Sequence, residues 1–458
     1  MHPEIPAGRG RNRERSDKHQ FIRRSWLIDI AILAVLSLAT RLPWVLLTHG
    51  GASSDSLFYY LGAKSIAAGH GYEILGHPTA FFPVGWPAFL GGVFLVTGPS
   101  FVVAKIVNLV LWALTTALVY ALGRRLGGRR VGVVAGGLVA FAPTMALYAM
   151  RAASESLFVP LLLGVCLLLL TRDGRSPSLR RTALAGLLLG FAILVRSTAL
   201  FLPLLLPLWL LLRRPRGESW RAALVLTVTS CLVLAPWVVR NEVVMHTTAL
   251  STNGGYTVWM GANPNATGGF APGHNKWAIS SASSETRQNS TLINDSISYV
   301  TGHPLDWLAL VPAKARQLML WNPGPIKSEL TGQRGDNPRT GWYKRHLSGA
   351  EATLINGSLH YLWLFKLWYY SYWVLGGVAL IVAARKRLPG AGLAALLVGF
   401  WIAFHSILVI GEPRYMLSVT PLVAPALAWF LVAAPQTVSV LASRIIRTDL
   451  PNSPRPSR

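Results

Sequence analysis

Eight apolar runs of membrane-crossing length recur along this chain, at 26–48, 101–122, 131–150, 155–171, 221–239, 361–384, 391–411 and 415–435. No other feature constrains the fold as strongly. A hydrocarbon core takes about 20 apolar residues per helical span. Inside it, backbone N–H and C=O groups must be paired internally, which leaves helices or a closed barrel. A ninth stretch, 182–212, is apolar for about 31 residues with Arg196 in its middle, well beyond the roughly 17–25 of one span. It reads as two short helices meeting at "VRSTALF". The expected fold is an all-α polytopic bundle of about ten transmembrane helices. The first run, with its long basic leader and no small-residue cleavage site, reads as an uncleaved span.

Charge placement orients the bundle. Lys and Arg mark cytoplasmic loops. With the N-terminus inside and ten spans, the basic tail at 1–24, "GRRLGGRR", "TRDGRSPSLRR", "RRPRGESWR", "ARKR" and the C-terminal tail all fall on one side. The net charge of +25 is therefore topological, and nucleic acid is not expected as a partner. Only 13% of residues are charged and 52% are hydrophobic, against about 25% charged in soluble chains. The two cysteines, Cys166 and Cys231, lie inside apolar runs, so neither a disulfide framework nor a cysteine metal site is expected.

The expected organisation is a tail at 1–24, a transmembrane module at 25–240 with a first outer loop at 49–100, an outer cap at 241–360, further spans at 361–437 and a tail at 438–458. Within the first loop, "WPAFLGGVFLV" is too short to cross and reads as an interfacial or re-entrant helix.

The unusual polar residues all reach the outer face. Asp55 lies on the first loop. Arg151 and Glu155 flank the turn between spans three and four. Arg196 sits at the hairpin turn, Arg240 opens the cap, and Glu412, Arg414 and Tyr415 form the turn "GEPRY". Charges at a membrane edge are costly and tend to be paired or functional. A carboxylate can act as general base toward a hydroxyl, and arginine grips phosphate without losing its proton. Together beside lipid, they point to transfer of a group from a lipid phosphate.

The stretch "DSLFYYLGAKSIAAGHGYEILGHPTAFFPVGWPAFL" resembles the first outer loop of the GT-C glycosyltransferases. It is closest to the branch of protein O-mannosyltransferases and lipid A aminoarabinose transferases. The matching positions are Asp55, Tyr59, Gly69, Gly71, Tyr72, Pro83, Gly85 and Pro87. "ESLF" at 155–158, "GFAILVRSTALFLPL" at 190–204 and "EPRYMLSVTPLVAPALA" at 412–428 resemble later landmarks.

The resemblance implies Asp55 as catalytic base and Glu155 as a second acid positioning the acceptor or a divalent metal. Arg196 and Arg414 would hold the lipid-linked phosphate, with Tyr59, Arg240 and Tyr415 as further substrate-binding candidates. No metal ligand set is assigned, because Ser56 stands where many members carry a second acid. The implied donor is a polyprenyl-phosphate sugar. The implied acceptor is a glycan, lipid or protein outside a bacterial plasma membrane, reached by an inverting displacement.

Plainer readings stand beside these. Asp55 would cap a helix, Glu155 would favour a helix N-terminus, Arg196 would snorkel and Arg414 would pair with Glu412. His70, His77 and His274 read as surface loop residues. The aromatic run 361–373 reads as an interfacial belt. The competing functions are a transporter or flippase of lipid-linked sugars and a noncatalytic envelope-assembly subunit.

Overall fold

The computed structural model of the chain describes residues 8–47, 55–171, 176–213, 216–270, 282–322 and 362–433. His274, the C-terminal tail and the second part of the expected cap lie outside the described residues. The fold is helical, with a single two-residue antiparallel ladder, β1 (Glu73–Ile74) and β2 (His77–Pro78), among the described residues.

Helix α1 (Gly8–Leu47) packs along α4 (Phe101–Ala140). Between them, α2 (Asp55–Ala67) and α3 (Gly85–Thr97) pack on each other as the first outer loop. The break between the second and third expected spans is tighter than the basic loop suggested. The helix that ends at Ala140 is broken at Gly127 and at Gly128, whose φ of 86° is left-handed. Only glycine adopts that geometry freely. The chain folds back there, so that Gly123 lies against Val131 and Gly132 against Tyr120. The third span then stops at Phe141, short of the expected residue 150, because Pro143 starts a separate helix, α5 (Pro143–Tyr148).

Next come α6 (Glu155–Leu169), α7 (Leu179–Val195), a 3-10 turn (Ser197–Phe201), α8 (Leu202–Arg213) and α9 (Arg216–Met245). The expected hairpin is there, with Arg196 at the end of α7. The outer segment supplies α10 (Gly254–Gly261), α11 (Ala282–Gly302) and α12 (Pro304–Met319). The chain returns through α13 (Leu362–Arg385), α14 (Ala391–Ile407), a 3-10 turn (Pro413–Ser418) and α15 (Thr420–Ala433). The last span thus starts five residues after Tyr415, which lies in the 3-10 turn.

Among the described residues, four helical segments are long and apolar enough to cross a membrane: Ser25–Leu46, Phe101–Ala140, which the turn at Gly127–Gly128 divides, Ser219–Met245 and Leu362–Arg385. The others are shorter. Helix α6 has 15 residues and α7 has 17, or roughly 22 and 26 Å at 1.5 Å per residue. Both terminate at the same end of the bundle, and the room they leave is where the site lies.

The opposite end gathers the basic loops. There Arg129 pairs with Asp29 at 2.7 Å. Arg125 and Arg181 both donate to the carbonyls of Leu167 and Leu170 at the end of α6. Such cations complement the exposed carbonyls of a helix C-terminus.

Candidate functional site

Four chain breaks meet at the site end, and each is fixed by its own contacts. The motif glycine Gly85 lets α3 abut the end of α7. A Cβ there would come within 2.6 Å of the Leu194 carbonyl carbon and the Val195 nitrogen, next to Arg196. Glycines Gly69 and Gly71, with φ of 81° and 80°, turn the chain so that buried Tyr72 donates to the Phe82 carbonyl at 3.3 Å. The 151–154 turn is held by Asn108, which donates to the Arg151 carbonyl, and by the Trp86 indole on the Ala152 carbonyl at 3.1 Å. The "GEPRY" turn is pinned by the Trp401 indole on the Tyr415 carbonyl at 2.9 Å. Gly411 presses on α12 so closely that a Cβ would sit 1.9 Å from the Lys314 carbonyl oxygen.

Two ion pairs result. Arg196 Nη1 lies 2.6 Å from Glu155 Oε1, with both side chains 10% or less exposed. Arg414 Nη1 lies 2.5 Å from Asp55 Oδ2, with side chains 31% and 19% exposed. Arg414 thus pairs with Asp55, far away in sequence, rather than with its neighbour Glu412. Arg196 is turned inward onto an acid instead of snorkelling. Asp55 is the first residue of α2, and its carboxylate is engaged with Arg414.

Tyr415 joins the pairs: its ring lies 5.6 Å from the Arg196 guanidinium and 5.5 Å from that of Arg414. Burial works against charge on Arg414, but Asp55, Tyr415, Glu155 and Glu412 outweigh it and hold its pKa above the ordinary value. Burial, then Asp55 and Glu155, push the Tyr59 hydroxyl up, which keeps it neutral.

Two cavities adjoin. The inner one, about 980 Å³, is lined by Asp55, Tyr59, Glu155, Arg196, Arg414 and Tyr415, among others. Exposed apolar side chains flank it: Leu200, Phe201 and Leu204 after Thr198, and Leu408 beside Val409. The outer one, about 1800 Å³, runs beneath the outer segment past Tyr256, Gln317, Trp321 and Glu412. Asp55, Arg414 and Tyr415 line both.

Six of the seven residues singled out in the sequence therefore meet at one place. Arg240 does not. Its guanidinium donates to the carbonyls of Thr79, at 2.9 Å, and Tyr72, at 3.1 Å, bracing the first outer loop away from both cavities.

The sequence reading missed Glu285. This buried residue of α11 accepts from the Thr79 hydroxyl at 2.7 Å, the Ala80 N–H at 2.9 Å and the Thr252 hydroxyl. The strands of chain it clamps are also bonded to each other, Thr252 N–H to the Ala80 carbonyl and Asn253 N–H to the Phe81 carbonyl. They carry Phe82 and Asn253 into the cavity walls. Nothing in the polar stretch "SSETRQNS" marks this glutamate. His405, a lone histidine inside an apolar run, is likewise a cavity residue that no spacing announces.

The donor set suits an anion better than a divalent cation. Asp55 and Glu155 each face an arginine, and Ser56 offers only a hydroxyl. Among the described residues, no three His, Cys, Asp or Glu side chains gather as ligands; His70 and His77 are exposed on the loop.

Residues 82–239 match the family of dolichyl-phosphate-mannose-protein mannosyltransferases. No curated protein sequence matches. Among solved structures, the chain is similar to the oligosaccharyltransferase AglB of Archaeoglobus fulgidus in complex with an inhibitory peptide and a dolichol-phosphate. That match has 12% identity and a TM-score of 0.50, over 95% of this chain and 53% of that one. The apo form of the Archaeoglobus fulgidus oligosaccharyltransferase aligns at 14% identity and TM-score 0.51, over 92% and 52%. ArnT from Cupriavidus metallidurans, bound to undecaprenyl phosphate, aligns at 14% identity and TM-score 0.39, over 93% and 81%. The chain spans about half the length of the oligosaccharyltransferase structures it matches. What the helical bundle, its apolar spans and the two oligosaccharyltransferase alignments establish is a polytopic membrane protein with the GT-C fold.

Proposed function

We propose that the protein is a glycosyltransferase that moves a sugar from a polyprenyl-phosphate donor to an acceptor hydroxyl or amine at the extracytoplasmic face. The observation that carries this reading is the Asp55–Arg414 pair, a carboxylate and a guanidinium that together line two adjoining cavities. The inner cavity, with its apolar flank, takes the lipid phosphate and its sugar. The outer cavity takes the acceptor. The family match over 82–239 and the dolichol-phosphate bound by AglB support a lipid-linked donor.

The chemistry follows from the placement. The acceptor oxygen (or nitrogen) attacks the anomeric carbon and gives its proton to Asp55. The bond between the anomeric carbon and the phosphate oxygen breaks, and the lipid phosphate leaves with the electron pair. Arg414 and Arg196 meet the charge that develops there, as preorganised donors do. One displacement inverts the anomeric configuration. Arg414 also orients the Asp55 carboxylate, and Glu155 holds the Arg196 guanidinium in place. The sidedness rests on the basic loops clustering at the opposite end of the bundle.

The test is complementation of a deletion strain with wild-type protein or Asp55→Asn, read by mass spectrometry of envelope glycans and glycolipids. The reading expects one sugar to disappear on deletion, to return with wild type, and to stay absent with the variant. Full restoration by a stably inserted Asp55→Asn protein points instead to a transporter or an assembly subunit.

A further inference from the structure

Helix α12 packs on α14 and on the 3-10 turn Pro413–Ser418. Toward them it carries Lys314, whose side chain is fully buried. Among the described residues no carboxylate is in ion-pair contact with it. Burial acts unopposed and pushes its pKa down to about 8. A buried charge with no counter-charge is costly, and an apolar side chain of similar length would fill the space more cheaply. What an apolar side chain lacks is a donor. The Lys314 ammonium donates to the carbonyl of Ile407, the last residue of α14, at 3.2 Å. Carbonyls at a helix C-terminus have no partner within the helix, and a cation is favoured there.

Three glycines shape the surroundings of this contact. A Cβ on Gly261, at the end of α10, would come within 3.1 Å of the Lys314 nitrogen and 1.9 Å of the Val409 carbonyl oxygen. Gly268, left-handed with φ of 87°, lies against the α12 backbone at Ala313 and Lys314. Its carbonyl accepts from the N–H of the third, Gly411, at 2.9 Å. Residues 408–412 form no helix of their own. The outer segment holds them instead, with Lys314 just before their start and Gly268 near their end. Beyond them the Trp401 indole holds Tyr415. The stretch leads into Arg414, which meets Asp55 at the wall shared by two cavities.

We propose that Lys314 is a positioning residue: through the Ile407 carbonyl it fixes residues 408–412, and through them the place of Arg414 opposite Asp55. The proposal rests on the reading of Arg414 as a group that meets the donor phosphate. It gives the outer segment a second task. Helix α12 walls the outer cavity with Gln317 and Leu320, and it also sets an arginine that both cavities share.

The test is a double-mutant cycle in the full chain. Wild type, Lys314→Met, Arg414→Lys and the double variant are each expressed in the deletion strain. Transfer per folded molecule is read by mass spectrometry of envelope glycans and glycolipids. Lys314→Met should lower transfer about tenfold, since misplacement of a catalytic group alone accounts for such factors. Lys314→Gln, shorter and uncharged, serves in its place if the methionine protein does not insert. In the Arg414→Lys background the same change should cost less than about twofold, because a point charge on a flexible stem depends little on where its backbone is held. A full tenfold further loss in that background makes the two sites independent and overturns the proposal. Hydrogen exchange of the purified protein in nanodiscs reads the joint without any reaction. The amides of Gly411 and Tyr415 should exchange several-fold faster in Lys314→Met, while those of α2 stay as in wild type. Unchanged exchange at 411 and 415 overturns the proposal whatever the chemistry. Full transfer by Arg414→Ala sinks the reading of the reaction instead, and the exchange result then decides the joint by itself.

Discussion

Asp29 and Asp55 belong to the two ends of one bundle, 18 residues of α1 separating Asp29 from Leu47, or roughly 27 Å of helix. Each faces an arginine, and there the likeness stops. Arg129 grips Asp29 with both prongs, Nε to Oδ2 at 2.8 Å and Nη2 to Oδ1 at 2.7 Å, and the Tyr120 hydroxyl adds a third bond at 2.8 Å. The neighbouring cavity at that end, lined by Leu122, Cys166 and Leu393 among others, carries no charged side chain. Arg414 touches Asp55 through Nη1, both side chains keep some exposure, and two polar cavities open on them. A carboxylate saturated by a fork and a phenol is a brace between helices. One that meets arginine at the shared wall of two cavities lies within reach of a ligand in either.

Swapping charge for amide at each end breaks the comparison most sharply. Asp55→Asn should cut sugar transfer by about 10²–10⁴-fold, the usual worth of a positioned general base, while the protein still inserts and melts cooperatively. Asp29→Asn should do the reverse, lowering melting temperature or yield and leaving transfer per folded molecule near wild type. Equal losses of transfer per folded molecule would erase the distinction.

Glu285→Gln tests how far the site end depends on a clamp outside it. Three donors converge on this carboxylate. An amide turns a donor toward them and leaves partners unpaired at about 1–3 kcal/mol each. Misplacing Phe82 and Asn253 by a fraction of an ångström should lower transfer by about tenfold, since geometry alone can account for such factors. Hydrogen exchange should speed up at the amides of residues 80–83 and 252–255 and nowhere at the basic end.

Gly85→Ala is a smaller, structural test of the same end. The added methyl has 2.6 Å to the α7 backbone, so α3 must back away. Overpacking of this kind costs about 1–3 kcal/mol, visible as a lower melting temperature. A methyl tolerated without change would show that α3 and α7 are not locked where Arg196 leaves the helix.

The bundle was legible because its spans are long apolar runs and their breaks are marked by charge. The same logic exposed Asp55, Glu155, Arg196, Arg414 and Tyr415. Each is polar where an apolar run stops, and the fold brings such stops together at one level. Arg240 carried the same signal and was drawn to the backbone of Tyr72 and Thr79 instead, because position along a span does not fix which way a side chain turns. Glu285 and His405 were illegible for opposite reasons. One is an acid in an already polar stretch, and the other a single ring inside an apolar helix; only tertiary contacts distinguish either from its neighbours. The break at Gly127–Gly128 was read as a loop because four arginines surround it. The break is there, but two glycines alone supply the turn, so the arginines sit on the ends of the two helices rather than on a longer loop.

Glu412 sharpens the comparison at the smallest scale, because among the described residues it is an acid of the site end with no arginine in ion-pair contact. Burial raises its carboxyl pKa; Arg414 opposes the shift and Asp55 reinforces it, and the net direction is upward from 4.5. A raised pKa means that the folded protein binds this proton more tightly than the unfolded chain does. The stabilising contribution is complete below the ordinary value and is lost as pH climbs through the raised one. At neutral pH the ionised side chain is then a net cost that glutamine does not carry. Glu412→Gln should melt about 1–2 °C higher than wild type at pH 7, a shift of the size a fraction of a kcal/mol produces, and the gap should close by about pH 4, where wild type is protonated too. A variant that melts lower at pH 7 would mean that Arg414 serves Glu412 as well as Asp55, and the site end would then be as saturated as the end that holds Asp29.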